Sequence, residues 1–554
     1  MKDELKSFYA AVLLSLAVIF MCNHFFADRK PAPQTPVEQQ PAATAQAPLK
    51  TEPSETPQTA ALPVEEVLQS SSRIQLSNGS LKGSIRVAGS RIDNLWLKKY
   101  KQTLDANSPD VELFAPAKTN NPYYAEFGWL SSDKNLKLPT ADTVWTAKGS
   151  TLTPDSPITL EWNNGQGLRF ITQISIDQHY MFNINQSVEN NTSSPVTIYP
   201  YGLIARNRNQ AARAGVVHEG MIGVFNDELE EVKYSDLKKG SKNFETTKGW
   251  LGFSDRYWFS AFILNSQQPS NITFSQNDDF YQTDFVGSPL TIAAGSIGST
   301  QQMLYAGAKE IKLLDKYTKD LNINKFDLAV DFGWYYFLTK PFFYILDYLY
   351  KIIGNMGWAI LLFAALLRLA MFPIANKSFE NMAKMKKLQP KLRELQEKYA
   401  DDKRKAQQET LLLYQREKVN PASGCLPMFI QIPVFFSLYK VLNIAIEIRQ
   451  APFIGWIKDL SAPDPLTISS WSHLPVPGIL DIGIWPIVMG LTMFIQQKMN
   501  PAPTNKDQAR AFAMMPFIFT FMMGHFAAGL VIYWSFSNLL SILQQRAILY
   551  KNRN

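Results

Sequence analysis

The chain has 554 residues, a formal net charge of +7, two cysteines and five histidines. That length allows several domains, and the absence of CxxC pairs and of histidine–cysteine clusters argues against a metal site, so we predict no metal and no cofactor. The basic residues gather beside apolar stretches, which is typical of a membrane-orientation signal and argues against a specific nucleic-acid partner.

The N-terminus has the pattern of an uncleaved membrane anchor. Two lysines precede an apolar run at residues 8–22, and the residues after it lack the small-x-small pattern of a signal-peptidase site. We therefore predict a first transmembrane helix in residues 1–27 with its N-terminus in the cytoplasm. Residues 28–65 are rich in proline, alanine and glutamine, which predicts a flexible tether.

Residues 66–325 have the pattern of an exported β-domain. Short runs of β-branched and aromatic residues alternate with turn signals, and Asn163-Asn164-Gly165 separates two such runs at 158–162 and 168–176 as a hairpin would. The pattern predicts a large antiparallel β-sandwich. No nucleophile–base or metal spacing stands out, although carboxylates from separate strands could still form a glycan-processing pair.

Residues 326–354 are rich in tyrosine, tryptophan and phenylalanine. Lys340, Asp347 and Lys351 interrupt them, so the segment is too polar to cross a membrane. Because tyrosine and tryptophan favour the headgroup layer, we predict an amphipathic helix lying on the outer membrane surface.

Arg368 is the single charged residue in an apolar stretch at residues 357–374. Eighteen helical residues reach roughly 27 Å, close to the thickness of a hydrocarbon core. A fixed charge there costs about 3 to more than 10 kcal/mol, which snorkelling of the side chain towards the headgroups could relieve. Since Lys377 already flanks the run, we favour the alternative, in which Arg368 faces a water-containing cavity.

Residues 377–419 predict a basic cytoplasmic hairpin of two helices. Apolar residues recur at three- and four-residue steps from Met382 to Tyr399, and Asp401-Asp402 marks the turn. The positive-inside rule places this hairpin in the cytoplasm. We predict that its apolar stripe and basic faces contact clients or the ribosome, with the candidate residues Lys386, Lys387, Lys391, Arg393, Lys403, Arg404 and Lys405.

The remaining apolar segments complete a five-span core at residues 355–550. Further spans are predicted at 426–446, at 482–495 and twice within 511–550, with a basic tail at 551–554. Together with the anchor this makes six spans, with both chain ends in the cytoplasm. Each polar residue inside these spans is more often an interhelical hydrogen bond than a site, but their number is too high for an inert anchor.

Several of these segments resemble one family. GCLPMFIQIPVFFSLYKVL (residues 424–442), GLTMFIQQKMNP (490–501) and GLVIYWSFSNLLSILQQ (529–545) resemble the YidC/Oxa/Alb family of membrane protein insertases, in its Gram-negative branch. The resemblance implies an N-terminal anchor helix, a periplasmic antiparallel β-supersandwich, and a five-helix transmembrane core with a cytoplasmic helical hairpin.

The resemblance also implies a function and a site. The expected protein is a chaperone and insertase of the bacterial inner membrane, not an enzyme, whose partners are nascent membrane proteins, the Sec translocon with its accessory subunits, membrane lipids and the ribosome. By resemblance Arg368 and Gln431 line a hydrophilic groove, and Tyr533 and Trp534 lie where the last span meets substrate. We add Asn538 to this groove; Trp534 departs from the tyrosine common in relatives.

Two functions of other classes compete with this interpretation. One is a solute transporter or channel that uses Arg368 as its anion site, which the basic hairpin and the lack of an internal repeat disfavour. The other is a membrane-anchored periplasmic glycan enzyme. The sequence assigns no role to Lys440 or to the loop at 469–478, which is longer than is usual in the family, and it identifies neither the clients nor the surface that contacts the Sec translocon.

Overall fold

The structure of the chain is a computed structural model that describes residues 62–207, 217–278, 280–400, 402–417, 419, 426–478, 480–500 and 506–551. The predicted anchor at 1–27, nearly all of the tether at 28–65 and all but one residue of the tail at 551–554 lie outside these residues.

Within the described residues, the first half of the chain folds into eighteen strands between two short helices. A helix at Val64–Gln69 (α1) precedes the strands, and a helix at Ile311–Asp320 (α2) follows them. The strands are Arg73–Ser77 (β1), Leu81–Arg86 (β2), Arg91–Lys101 (β3), Asp110–Phe114 (β4), Tyr123–Leu130 (β5), Thr146–Lys148 (β6), Thr151–Leu152 (β7), Ile158–Asn163 (β8), Leu168–Ile176 (β9), Met181–Asn190 (β10), Val196–Asn207 (β11), Gly220–Phe225 (β12), Glu228–Lys233 (β13), Lys242–Ser254 (β14), Trp258–Asn277 (β15), Phe280–Val286 (β16), Leu290–Ile292 (β17) and Ile297–Ala308 (β18).

The strands form a β-sandwich domain around an aromatic core. Among the described strands the pairings are antiparallel except for the short β1–β7 pair, which is parallel. Burial alternates along β9, as expected for a strand with one face on the core, whereas β16 is buried along its whole length. Trp129, Trp250 and Phe259 are among the largest fully buried side chains.

The hairpin predicted at residues 163–165 is confirmed. Strands β8 and β9 pair antiparallel with Asn163 opposite Arg169. Gly165 and Gly167 have φ angles of +74° and +91°, a conformation that costs glycine little. The side-chain oxygen of Asn164 accepts the N–H groups of Gln166 and Leu168 at 2.7 and 3.0 Å, which closes the turn.

The second half of the described chain is helical. Helix α11 contacts α4, α5, α7, α9 and α10, and is the element around which this half is assembled. The helices are Tyr336–Ile353 (α3), Met356–Ala370 (α4), Phe372–Lys398 (α5), Lys403–Arg416 (α6), Leu426–Ile444 (α7), Ile468–Ser472 (α8), Ile484–Met499 (α9), Lys506–Met523 (α10) and Ala528–Lys551 (α11).

The prediction of one continuous helix over residues 357–374 is wrong. Helix α4 ends at Ala370, α5 begins at Phe372, and the two are bent by 67°. Pro373 lies in the first turn of α5, where its missing N–H is tolerated, and its ring disfavours continuing the preceding helix through Phe372. Arg368 therefore lies in the last turn of α4, where the helix dipole favours a positive charge.

The helix lengths bear on the predicted spans. No single helix among the described residues has both the length and the apolar composition of a membrane span. The bent pair α4–α5 meets both criteria when its two helices are taken together. Shorter apolar helical stretches lie at Phe429–Ile444 and Ala509–Met523.

Helices α5 and α6 pack against each other across the turn at Asp402, whose carboxylate accepts the N–H of Lys405 at 3.1 Å. Leu388, Leu392 and Val419 are buried together in their contact. Part of the predicted apolar stripe is therefore covered by a helix of the same chain, and its contact with clients or the ribosome stays a prediction.

The β-domain is joined to the helical half by polar contacts at α7. The ammonium of Lys440 lies 2.6 Å from the carboxylate of Asp331, and Lys440 is only 9% exposed. One turn further along α7, Arg256 of the β-domain donates to the carbonyl and the side-chain oxygen of Asn443 at 2.7 and 3.1 Å. Lys440 thus points into protein, which answers a question that its sequence left open.

Helix α3 is tied to the β-domain by two lysines. Lys340 pairs with Asp315 at 2.9 Å and with Asp327 at 2.8 Å, and Lys312 of α2 pairs with Asp347 of α3. Both halves of α3 are thereby held to the last segment of the β-domain, the first through Lys340 and the second through Asp347.

Candidate functional site

Arg368 is half-buried and bonds across to α11. Its Nη2 donates to the backbone carbonyl of Ser537 at 2.9 Å and to the Ser537 hydroxyl at 2.7 Å. Among the residues that the structure describes, no carboxylate forms an ion pair with Arg368. The guanidinium charge is thus held by neutral dipoles, and its field is not cancelled by a counter-charge there.

Gln431 and Tyr533 form the next polar contact on the same side of α11. The side-chain amide of Gln431 donates to the Tyr533 hydroxyl at 3.0 Å, and Tyr533 is 2% exposed. Since Tyr533 and Ser537 are four residues apart on one helix, the two contacts lie one turn from each other. The structure therefore brings Arg368, Gln431 and Tyr533 together at the meeting of α4, α7 and α11.

Trp534 and Asn538 lie on a neighbouring face of α11. The Trp534 ring packs edge-on against Phe435 of α7 at 4.8 Å and Phe519 of α10 at 5.6 Å. The Asn538 amide donates to the hydroxyl of Thr492 on α9 at 3.3 Å. These two predicted groove residues are placed in helix packing, apart from the row that holds Arg368.

Ser537, which accepts from Arg368, belongs to a row of polar residues along α11. Tyr533, Ser537, Ser541 and Gln545 recur at four-residue steps, and all four are buried. They cover about 18 Å of helix at ~1.5 Å per residue. The interpretation of the sequence considered Tyr533 and Ser537 singly and left out Ser541 and Gln545, so it missed the row, although the constant spacing of four residues was visible.

Most of the candidate contact residues on the hairpin are exposed. Lys391 pairs with Glu417 at 3.0 Å, where both side chains are well exposed, and Lys405 lies over the ring of Tyr399 at 5.3 Å. The side chain of Lys403, the first residue of α6, falls outside the described atoms. The exposed members of the basic set are Lys386, Lys387, Lys391, Arg393, Arg404 and Lys405.

Comparison with known proteins relates both halves of the chain to one family. Residues 73–345 match the family model described as YidC periplasmic domain, and residues 348–554 match the one described as 60Kd inner membrane protein. The membrane protein insertase YidC of Beijerinckia indica subsp. indica is 46% identical over 582 residues, which cover 99% of this chain and 96% of the relative. That of Rickettsia bellii is 43% identical over 556 residues, covering 98% and 99%.

Two solved structures are similar at lower identity. A crystal structure of an active YidC insertase with its first transmembrane domain resolved covers 86% of this chain and 92% of its own, at 17% identity and a TM-score of 0.37. A galactose mutarotase-related enzyme from Lactobacillus acidophilus covers 42% and 97%, at 10% identity and a TM-score of 0.31. At these TM-scores neither carries an argument. The family models and the near-full-length relatives, which are insertases and not enzymes, show that this chain belongs to the YidC family of membrane protein insertases.

Proposed function

We propose that this insertase passes the polar segments of its clients through a groove between α4, α7 and α11, with Arg368 as the fixed positive charge. The observation that carries the proposal is the pairing of Arg368 with the neutral Ser537, with no carboxylate partner among the described residues. A charge kept for structure alone would be expected to have a counter-charge, because an uncompensated buried charge is expensive.

The physics of the groove follows from the cost of moving polar groups through lipid. A polar segment that crosses an intact bilayer loses several kcal/mol per unpaired group. The buried polar row from Tyr533 to Gln545 supplies hydrogen-bonding groups along roughly 18 Å of α11, which shortens the apolar path. Arg368 attracts acidic tails, and the apolar part of the client leaves sideways into lipid as its surface is buried there.

The proposed topology has six spans, with the N-terminus, the hairpin and the C-terminus in the cytoplasm. Helix α3 lies on the outer membrane surface in this arrangement. Trp334, Phe337 and Tyr348 are 60%, 71% and 64% exposed, which is expected of aromatic side chains that meet the headgroup layer. The exposed basic residues of α5 and α6 then face the cytoplasm, where they contact nascent clients and the ribosome, and the Sec translocon is a lateral partner.

The test is insertion of one client, with its tail acids neutralised stepwise, by purified protein in liposomes. We expect Arg368→Lys to retain most insertion, because charge matters more than bidentate geometry. Arg368→Ala should lose most insertion of the acidic-tailed client and much less of the neutral one. The matched control is Lys377→Ala, which removes one exposed positive charge from the adjacent helix α5. Equal loss for every tail in Arg368→Ala would overturn the electrostatic role.

A further inference from the structure

The loop between α7 and α9 exposes apolar side chains at its tip. Trp471, in the short helix α8, is 71% exposed, and Leu474 is 64% exposed. Leu480, on the returning arm of the loop, is exposed as well. Single exposed apolar residues are ordinary, but these three stand within ten residues of one another. The sequence alone assigned no role to this loop.

The loop is also free of strongly charged side chains. Residues 465–480 contain no aspartate, glutamate, lysine or arginine, and three leucines, two isoleucines, a valine and a tryptophan are among them. A segment that lies in water normally exposes charged residues, since these are the residue types most often found on the surface. A neutral, apolar tip has little electrostatic attraction to a charged partner or to anionic lipid. Its composition therefore fits an uncharged, partly apolar surrounding.

The tip stands on an ordered base. The carboxylate of Asp481 accepts the N–H and the hydroxyl of Ser469 at 2.8 and 2.6 Å and the hydroxyl of Thr467 at 3.0 Å. The two arms of the loop are joined by the N–H of Ile468, which donates to the carbonyl of Ile482 at 3.1 Å. Because the base is already ordered, little further entropy is lost when the tip binds a surface.

The same base is fixed to the start of α9. The carboxylate of Asp464 accepts the N–H of Trp485, in the first turn of α9, at 2.8 Å. Thr467 forms an isolated antiparallel bridge with Gly483, the residue that precedes α9. Four residues separate Trp471 from Thr467, so the two lie at most about 14 Å apart. In the topology proposed above, the start of α9 is the outer end of a span, and the tip is within reach of the headgroup layer there.

We propose that the tip of this loop, Trp471 with Leu474, is a second interfacial anchor that inserts into the headgroup layer on the outer side of the membrane. This inference rests on the six-span topology proposed above. Tryptophan favours that layer because its ring is apolar while its N–H can donate to headgroup oxygens. Helix α3 leads into α4, and the loop leads into α9, so the two anchors together set the depth of both helices.

The test measures the depth of the tip in the full chain without Cys22 and Cys425, in phosphatidylcholine liposomes. The fluorophore NBD is placed at Pro475→Cys, an exposed position beside Leu474, so that both anchor side chains stay in place. Nitroxide lipids in both leaflets make the result independent of orientation. We expect headgroup nitroxides to quench the probe strongly and nitroxides deep in the acyl chain to quench it less. A probe at the exposed Val144→Cys of the β-domain should not be quenched.

Substitution separates the anchor from the rest of the loop. Trp471→Ser with Leu474→Ser should remove most of the quenching, and because both side chains are exposed the fold should persist. The matched control is Val144→Ser with Ile297→Ser, which removes two exposed apolar side chains of the β-domain and should leave the quenching unchanged. Adding phosphatidylglycerol should also change nothing, because the loop has no lysine or arginine. Quenching that survives the loop substitutions, or that requires phosphatidylglycerol, overturns the proposal.

A second measurement separates failure of the anchor from failure of the topology. In intact spheroplasts an impermeant maleimide should react with Ser470→Cys, which is exposed beside Trp471. Reaction from outside together with an unquenched Pro475→Cys probe means that the tip meets water or protein, and it overturns the anchor while the topology stands. Reaction only from the cytoplasmic side overturns the six-span topology, and the inference with it.

Discussion

Lys440 of α7 and Asp331, which stands just before α3, form an ion pair at 2.6 Å that joins the helical core to the β-domain. Their side chains are 11% and 22% exposed, so water screens the pair only partly. Asp331 also accepts the N–H groups of His218 and Gly333 at 3.3 and 2.9 Å, which orients its carboxylate. Because Gln431 lies on the same helix as Lys440, we expect this contact also to affect the position of a proposed groove residue.

The first prediction concerns the strength of this pair. We expect Lys440→Met and Asp331→Asn each to lower the unfolding midpoint, and a double-mutant cycle to give a coupling of about 1–3 kcal/mol. The control is the exposed pair Lys391–Glu417, whose coupling should stay below about 1 kcal/mol. Equal coupling in the two pairs would mean that the Lys440 contact does not join the domains.

The second prediction concerns the hairpin. Deleting residues 388–418 should block insertion while the core stays folded, because the first part of α5 packs independently of α6 through Phe379, Met382 and Ile548. A gentler variant replaces the exposed Lys386, Lys387, Arg393, Arg404 and Lys405 by glutamine and leaves the buried leucines in place; we expect it to weaken insertion several-fold. Wild-type insertion by both variants, at equal protein levels, would remove the hairpin from the mechanism.

The third prediction is topological. Cysteines at Ser470 and at Lys398, in a chain without Cys22 and Cys425, should react with an impermeant maleimide from opposite sides of the membrane. Ser470 is exposed, whereas its neighbour Ser469 is held by the carboxylate of Asp481 at 2.6 Å and is a poorer labelling site. Labelling of both from one side contradicts the six-span arrangement.

The fourth prediction concerns the pH dependence of stability. Lys309 is 1% exposed, and burial lowers its pKa to about 8 although the nearby Asp255, Asp331 and Glu219 oppose that shift. Between pH 8 and the ordinary lysine pKa near ~10.4 the unfolded chain binds more protons than the folded chain, so this group makes stability rise with pH in that window. Below about pH 8 both the folded and the unfolded chain bind this proton, so the full cost of burying the charged lysine lowers the free energy of unfolding.

The measurement is the unfolding midpoint of the wild-type chain and of Lys309→Met as a function of pH. The free energy of unfolding of the wild type should rise by on the order of 3 kcal/mol relative to that of the variant as the pH rises through this window. The hydroxyl of Ser254, which accepts from Lys309 at 3.0 Å, loses that donor in the variant at every pH and so adds a constant offset. Parallel pH curves would show that Lys309 is not the titrating group.

Local patterns were predictable where neighbouring residues determine the outcome. The β8–β9 hairpin follows from two glycines and an asparagine, and the break between α10 and α11 begins at Gly524, directly after the last residue of α10. The bend at Met371 was missed because composition alone suggested a span, although Pro373 already marked a helix start.

Long-range pairings were not predictable in the same way. Lys440 and Asp331 are 109 residues apart, and nothing in either local sequence specifies the other. The separation of Trp534 and Asn538 from the Arg368 row follows from helix geometry, since adjacent positions point about 100° apart. Predicting this separation would have required knowing which helices face each side of α11.

The bond between Arg368 and Ser537 also orders the protein's own assembly in time. The two residues are 169 positions apart, and Ser537 lies in α11, the last helix that the structure describes. At roughly 5–20 residues per second, α4 waits on the order of ten seconds or more with its guanidinium lacking this partner. We therefore expect docking of α11 to complete the proposed groove, and a chain truncated before α11 leaves Arg368 without the hydroxyl and carbonyl that hold it.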